Sequence, residues 1–580
     1  MSFLGLDLST QQLKLLVTNE QLEVTNSYAI EFEKHLPHYN TTKGVYTNEE
    51  TGSVVAPVVM WLEALDMILE QMKKDDDFDF ASVKGISGSC QQHGSVYVSS
   101  KFHTALEKAS SDKSFKESLT EECFALQTAP NWQDHSTGEE IKIFEDYIGG
   151  KEELAKVTGS RAHYRFTGTQ IRKIAKDHPK EYANTDRIQL VSSFLASLFI
   201  GKVANLEEAD ATGMNLYDVP NRKWSEELLA TCSLSHEKDG VTDESERAKA
   251  VESLKQKLGD VTPVGYDNIG SVSPYLVKRY GFSPDCKVYA FTGDNLATIL
   301  SLPLNQDELL ISLGTSTTVL LVTKTYAPSS NYHLFIHPTI PDAYMGMICY
   351  CNGSLAREKV RDVLNEKYHK PHADWTLFDE LLEKSTSFDN KLGVYFPLGE
   401  IVPNRRAQTL RATLNSDGSI KVVDSWDAEI DAPAILHSQA LSCRARASPM
   451  LSIHTETVAP QCEDLEFDEK TISAINLSQR PHKVVFVGGA SKNIHISRKF
   501  AEVLGAGENL RFDNPNACAL GGAFKASWSV YREEGGNDDY HKYLTGKFKG
   551  GMEVVEAEDK WEQFIPGLKM LKQMEDVLEH

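Results

Sequence analysis

Apolar and β-branched positions gather into three short runs at residues 3–8, 13–18 and 22–32. They are separated by the polar turns Ser9-Thr10-Gln11-Gln12 and Asn19-Glu20. This spacing predicts three successive strands in a meander at the start of the chain. From about Val54 to Met72 the period changes. Met60, Leu62, Leu65, Ile68, Leu69 and Met72 fall on one helical face, which ends at Asp75-Asp76-Asp77,. A strand is expected next at 83–87.

The pattern recurs just past the middle of the chain. The run from Leu309 to Thr323, with its turn Gly314-Thr315-Ser316-Thr317, echoes the strand, Ser/Thr turn and strand of Phe3 to Thr18. The repeat predicts duplication of one fold unit, and so two large lobes in a chain whose length alone would allow about four domains. Towards the end, Lys483 to Val487 reads as a buried strand, Gly488-Gly489-Ala490-Ser491 as a turn and Asn493 to Leu504 as a helix. Further helices are expected over about 517–531 and 561–578. The polar stretches 99–128, 233–255 and 455–480 read as peripheral insertions. The expected division is a first lobe over 1–300, a second over 301–535, and a linker with a helix over 536–580.

Composition narrows the function. Of 580 residues, 41% are hydrophobic and 25% charged, a globular balance,. With 60 Lys and Arg against 83 Asp and Glu the net charge is −23, so neither nucleic acid nor an anionic membrane is an expected partner,. No apolar run is long enough to span a bilayer and the start lacks a signal-peptide pattern. Nine scattered cysteines without a Cys-x-x-Cys pair argue against both a disulfide framework and a zinc site,. A soluble, cytoplasmic protein is expected, as monomer or homodimer.

Asp7, at the end of the first strand and followed by Thr10, Gln11 and Gln12, offers a carboxylate beside turn N–H groups and hydroxyls that suit phosphate. A carboxylate helps there only with a Mg²⁺ and its waters between; a turn-capping role is the alternative. The matching turn at Gly314, Thr315 and Ser316 is a candidate anion nest. Gly488 and Gly489, with Asn493 in the next turn of chain, would let a flat base lie against bare backbone, or form only a tight strand-to-helix turn. Asp294, in Gly293-Asp294-Asn295, stands at a strand-to-helix junction, where it could act as general base or cap the helix. Gln92 and His93 lie between two strand-like runs. Arg165 is flanked by aromatics, and Asp134 ends Asn131-Trp132-Gln133-Asp134. Each of these could meet sugar hydroxyls or serve packing. A P-loop, a Rossmann fingerprint and the protein-kinase signature set are all absent.

Taken together, Gly5-Leu6-Asp7-Leu8-Ser9-Thr10-Gln11-Gln12, Gly88-Ser89-Cys90-Gln91-Gln92-His93-Gly94, Asn131-Trp132-Gln133-Asp134, Arg165 to Ile171, Gly293-Asp294-Asn295, Ser312 to Thr317 and Gly488 to Asn493 resemble the FGGY carbohydrate kinases, within them the eukaryotic xylulose kinase branch. The resemblance covers roughly residues 3–535. It implies an α/β, two-lobed actin-like ATPase fold made of duplicated ribonuclease-H-like domains around an interlobe cleft, with sugar bound mainly by the first lobe and ATP by the second. It further implies that Asp294 is the general base and that His93, Arg165, Asp294 and Asn295, with Gln92 and Asp134, hold D-xylulose. ATP and ADP would be held by Thr10, Gln11, Gln12, Gly314, Thr315, Ser316, Gly488, Gly489 and Asn493, with Trp375 against the adenine. Asp7 would hold Mg²⁺ through water. Competing expectations are a kinase of the same family for D-ribulose or a heptulose, and an actin-fold ATPase or sugar sensor without kinase activity.

Overall fold

The computed structural model describes residues 1–468, 470–548 and 550–579. Two compact units are present. One comprises Met1–Pro303, Phe335–Asp342 and Asn516–Phe548, and the other Leu304–Leu334, Ala343–Pro515 and Lys549–His580.

In the first unit the expected meander forms. Strands β1 (Ser2–Leu8), β2 (Gln12–Asn19) and β3 (Val24–Glu31) pair antiparallel. β4 (Val83–Cys90) and β5 (Lys287–Tyr289) extend the sheet in parallel, giving the order β3-β2-β1-β4-β5, and β6 (Thr292–Gly293) pairs with the end of β4. Leu4, Leu6, Leu8, Leu13, Leu15 and Ile86 are fully buried and share one face of the sheet,. Asn268–Ser271 closes the β5 edge antiparallel.

The second unit repeats this topology. Strands β7 (Glu308–Leu313), β8 (Thr317–Thr323) and β9 (Tyr344–Tyr350) are antiparallel, and β10 (Lys483–Val487) and β11 (Glu508–Phe512) follow in parallel. The order β9-β8-β7-β10-β11 matches the first unit strand for strand, and Met552–Val554 again adds an antiparallel edge.

Several expectations are corrected. The helix foreseen from Val54 begins at Val58. Ser53–Pro57 is a strand, because the β-branched pair Val54-Val55 and the extended Pro57 favour pairing with Tyr46–Asn48 and Thr128–Pro130,. The polar stretches are not peripheral. Phe102, Leu106, Phe115, Leu119 and Phe124 enter the first unit's core, Val251, Leu254 and Leu258 a second core of that unit, and Cys462, Phe467 and Leu477 the second unit's core.

The helix Ala517–Glu533 joins the first unit and not the second lobe to which 301–535 assigned it. Its backbone lies directly on β1 and on the helix Asp294–Leu300. A Cβ on Gly5 would stand 1.9 Å from the Ala519 oxygen, and one on Gly521 1.9 Å from the Ala297 oxygen. The stretch 536–580 is likewise no simple appendage. Tyr540 and Tyr543 of the helix Tyr540–Lys547 are buried in the first unit, whereas Leu568, Leu571 and Met574 of Ile565–Val577 complete the second unit's core.

Candidate active site

In the first unit β1, β4 and β6 are parallel, and open α/β sheets present ligand sites at such carboxyl ends. Asp7 is in register with Ser89, and Gly293 with Cys90, so Asp7, the loop Gln91 to Gly94 and Asp294 emerge from one edge. Asp294 is the first residue of the helix Asp294–Leu300. The N-cap is Gly293, which has no side chain to cap with, and the Asp294 carboxylate itself accepts from N–H groups of the first turn. A Cβ on Gly293 would fall 2.2 Å from Gln92 Cγ, and its absence lets Gln92 cross to Asn295. Asn295 Nδ2 donates to Gln92 Oε1 at 2.9 Å and to Asp294 Oδ1 at 3.1 Å, and the Asn295 N–H donates to the same carboxylate oxygen at 2.8 Å.

Burial lifts the Asp294 carboxyl to about 6, against the opposing pull of N–H donors from Asn295, its own residue and Gln92, and of the Arg165 charge. Asp7 rises to about 7, first through burial and then through the charge of Asp294; the Ser89 hydroxyl, donating at 3.2 Å, and Lys14 oppose the rise. The two acids therefore share one field. His93 is buried with φ at 71°, a left-handed conformation rare outside glycine,. Its Nδ1 lies 3.1 Å from the Gly213 carbonyl oxygen, which only accepts, so Nδ1 carries a proton and donates to it,. Phe166 packs against the ring at 4.6 Å, and the Arg165 guanidinium lies 5.8 Å from the Phe166 ring.

Asp134 does not reach outward as expected. Its Oδ1 accepts from Gln170 Nε2 at 2.7 Å and from the Ser136 hydroxyl at 2.6 Å, and its Oδ2 from the Val54 N–H at 2.8 Å. Buried and engaged in this way, it fixes the loop. Trp132, half exposed, donates Nε1 to the Thr10 hydroxyl at 2.8 Å and ties that loop to the first turn. Within that turn the Ser9 N–H and hydroxyl both donate to the Gln12 oxygen, and Gln11 is exposed.

Three groups here escaped the sequence reading. Asp210, buried, accepts from the Ser192 hydroxyl at 2.6 Å; burial and the charges of Glu207 and Asp294 raise it to about 7. Glu207 accepts from the Asp210 N–H and the Thr292 hydroxyl. Lys525, fully buried, is lowered to about 8 by burial, with Glu207 and Asp210 as countercharges. The acidic cluster Glu207-Glu208-Ala209-Asp210 was the one available signal.

In the second unit Gly314, Thr315, Trp375, Asp379, Gly489 and Asn493 line one open pocket of about 780 Å³. Here the structure brings together residues far apart in sequence. Gly488, at φ 87°, has no room for a Cβ against the Leu313 backbone, whereas Gly489 faces open space. Asn493 differs from expectation. It is the N-cap of Ile494–Leu504, accepting from the His495 and Ile496 N–H groups, and its Nδ2 donates to Asp379 Oδ1 at 2.7 Å,. Both polar ends are thus used within the fold. The Gly314 N–H, foreseen as an arm of the nest, donates instead to the Ser316 oxygen at 3.0 Å, while the Thr315 and Ser316 side chains are exposed. Trp375 carries the Arg361 guanidinium 4.5 Å from its ring centroid and Phe378 edge-on at 5.2 Å, which hold the indole at the pocket wall,.

Family models for the N-terminal and C-terminal domains of the FGGY family of carbohydrate kinases match residues 2–301 and 309–530. The chain is 47% identical to a xylulose kinase of Saccharomyces cerevisiae over 99% of its own length and 96% of the relative's. It is 42% identical to D-xylulose kinase A of Aspergillus niger over 92% and 90%. Its fold is similar to the crystal structure of a xylulose kinase from Rhodospirillum rubrum, with a TM-score of 0.70 at 14% identity, covering 98% of this chain and 97% of that one.

Proposed function

The chain belongs to the FGGY family of carbohydrate kinases, and we propose that it transfers the terminal phosphoryl group of ATP to D-xylulose, giving D-xylulose 5-phosphate. The observation that carries the reaction class is Asp294. It is a carboxylate at a helix start, lifted to about 6 and bordered by Gln92 and Asn295. Near neutral pH such a group is ionised and still basic enough to take a hydroxyl proton as the O–P bond forms. The acceptor sugar is assigned from the full-length likeness to fungal xylulose kinases.

In this reading His93 meets one sugar hydroxyl and Asn295 and Gln92 meet others, with Arg165 holding a further oxygen. Adenine lies against Trp375 and the bare backbone at Gly489, where a side chain would intrude. Phosphates meet the exposed hydroxyls of Thr315 and Ser316. The residues also fit a Mg²⁺. Asp7 is an oxygen donor whose carboxyl is raised by burial and by a neighbouring acid, the setting in which a hydrated dication is welcome,. Asp7 would hold the Mg²⁺, which would supply positive charge against the charge that develops on the transferred phosphoryl group. All nine cysteines are free, and among the described residues no helix is long and apolar enough to cross a membrane; we place the protein in the cytoplasm.

The test is ADP release by the purified protein with Mg²⁺-ATP and, separately, D-xylulose, D-ribulose, L-xylulose, glycerol or no sugar. Selective stimulation by D-xylulose is expected. Stronger stimulation by another ketose would reassign the acceptor while leaving Asp294 its role, and hydrolysis indifferent to sugar would remove the kinase reading.

A further inference from the structure

At the amino ends of β7 and β10, the ends opposite the turns that line the nucleotide pocket, three metal-ligating side chains converge. Asp307 immediately precedes β7 and His482 immediately precedes β10. The first register pair of the two parallel strands is Glu308 with Lys483, and the His482 N–H donates to the Asp307 carbonyl at 2.9 Å. The third side chain, His454, follows the Ser448–Met450 turn. Its N–H donates to the Gln479 side-chain oxygen at 2.8 Å, and its Nε2 stands 2.9 Å from Asp307 Oδ2. One donor atom of each residue lies within 4.8 Å of the other two.

Asp307 is 1% exposed, and its one ion-pair partner among the described residues is the His454 imidazole. Its Oδ1 accepts from the Ser452 N–H at 2.8 Å, and neither Lys nor Arg closes on it. Asp307 also holds φ at 63°, a conformation that brings strain unless the surroundings enforce it,. The two imidazoles lie with ring centroids 4.7 Å apart, so their nitrogens converge on one side of Asp307. Backbone bonds hold all three residues in place. Both histidines are exposed enough for their rings to turn, so the donors can close to the roughly 3.3 Å separations that tetrahedral coordination needs.

We propose that Asp307, His454 and His482 form a binding site for a first-row transition-metal dication of the Zn²⁺ class, with water as the fourth ligand. Two imidazoles and one carboxylate select such an ion over Mg²⁺, which prefers oxygen donors alone. The bound ion pins the segment around His454 to the entry of the two strands whose far ends carry the Gly314 and Gly488 turns. It thereby stiffens the second unit without entering the phosphoryl transfer.

Titration of the full-length protein with Co²⁺, in excess Mg²⁺ and without nucleotide, tests this. One equivalent should bind and show the visible absorption of tetrahedral Co²⁺, and Zn²⁺ should displace it. His454→Gln and His482→Gln should each weaken Co²⁺ binding by at least about tenfold, since even residues that only orient metal ligands cost that much. Zn²⁺ should raise the unfolding temperature of the wild type and not of the double variant. Sugar-dependent ADP release by the variants reports that they are folded. Absence of Co²⁺ binding below millimolar concentration, or binding undiminished in the folded double variant, would overturn the site.

Discussion

Lys525 donates its ammonium group to the main-chain oxygen of Ala290 at 2.6 Å. The contact joins the helix Ala517–Glu533 to the segment between β5 and β6, a few residues before Asp294. Glu207 and Asp210 supply the countercharge. Lys525→Met should therefore leave two buried acids without their cation and cost on the order of 3 kcal/mol, measured by chemical denaturation. Its kcat should fall more than its KM for ATP, because the Trp375 pocket is untouched. Unchanged stability would deny Lys525 its structural role.

Asp294→Asn should lower kcat by about 10²–10⁴ with little change in substrate affinity. Stability should move the other way. Folding raises the Asp294 carboxyl from 3.8 to about 6, so its ionised form is disfavoured in the folded state. This opposing effect is absent below about 4, grows between about 4 and 6, and is full above about 6. Thermal unfolding should accordingly show the variant at least as stable as the wild type at pH 8, with any gain lost near pH 4.

Wild-type kcat/KM for D-xylulose should fall as pH drops through about 6, tenfold per unit, as Asp294 takes up a proton,. Arg165 holds that carboxyl down by its charge. Arg165→Gln should shift the acid limb of the pH profile upward as well as raising KM for the sugar. An unmoved inflection would place the guanidinium's influence elsewhere.

Trp375→Ala should raise KM for ATP by about 3–10-fold, the scale of one lost aromatic stack, and leave KM for the sugar unchanged. The helix Thr376–Lys384, capped at Trp375, should persist, so circular dichroism should not change.

Gly5→Ala should cost about 1–3 kcal/mol, because its Cβ would stand 1.9 Å from the Ala519 oxygen, and backbone yields less readily than a side chain,. Displacing the helix Ala517–Glu533 should also disturb the helix Asp294–Leu300, so kcat should fall with stability. A variant of full stability and activity would show that the two backbones can separate freely.

Much of this was legible along the chain because it is local. The alternation in residues 3–32 and its echo at 309–323 predicted two meanders, and the register of β1 with β2 and of β7 with β8 follows from short turns between buried strands. The positions of Asp7, Asp294 and the glycines at 488 and 489 follow the same local logic, a strand ending in a turn. What lay beyond the sequence depends on residues distant in the chain. Whether Gln92 reaches Asn295 beside Asp294 was decided by Gly293, whose missing Cβ admits it. Asn493 and Asp134 carry suitable chemistry for a ligand, yet Asp379 and Gln170, reached only by folding, engage them. The ownership of Ala517–Glu533 turned on Gly5 and Gly521, which permit a backbone approach that no periodicity records. Sequence by itself determined the strands, the turns and the chemical types at their ends, since these arise from interactions between near neighbours. Only the tertiary structure decided which polar groups were already satisfied and which acids share one field, because burial and charge act through space.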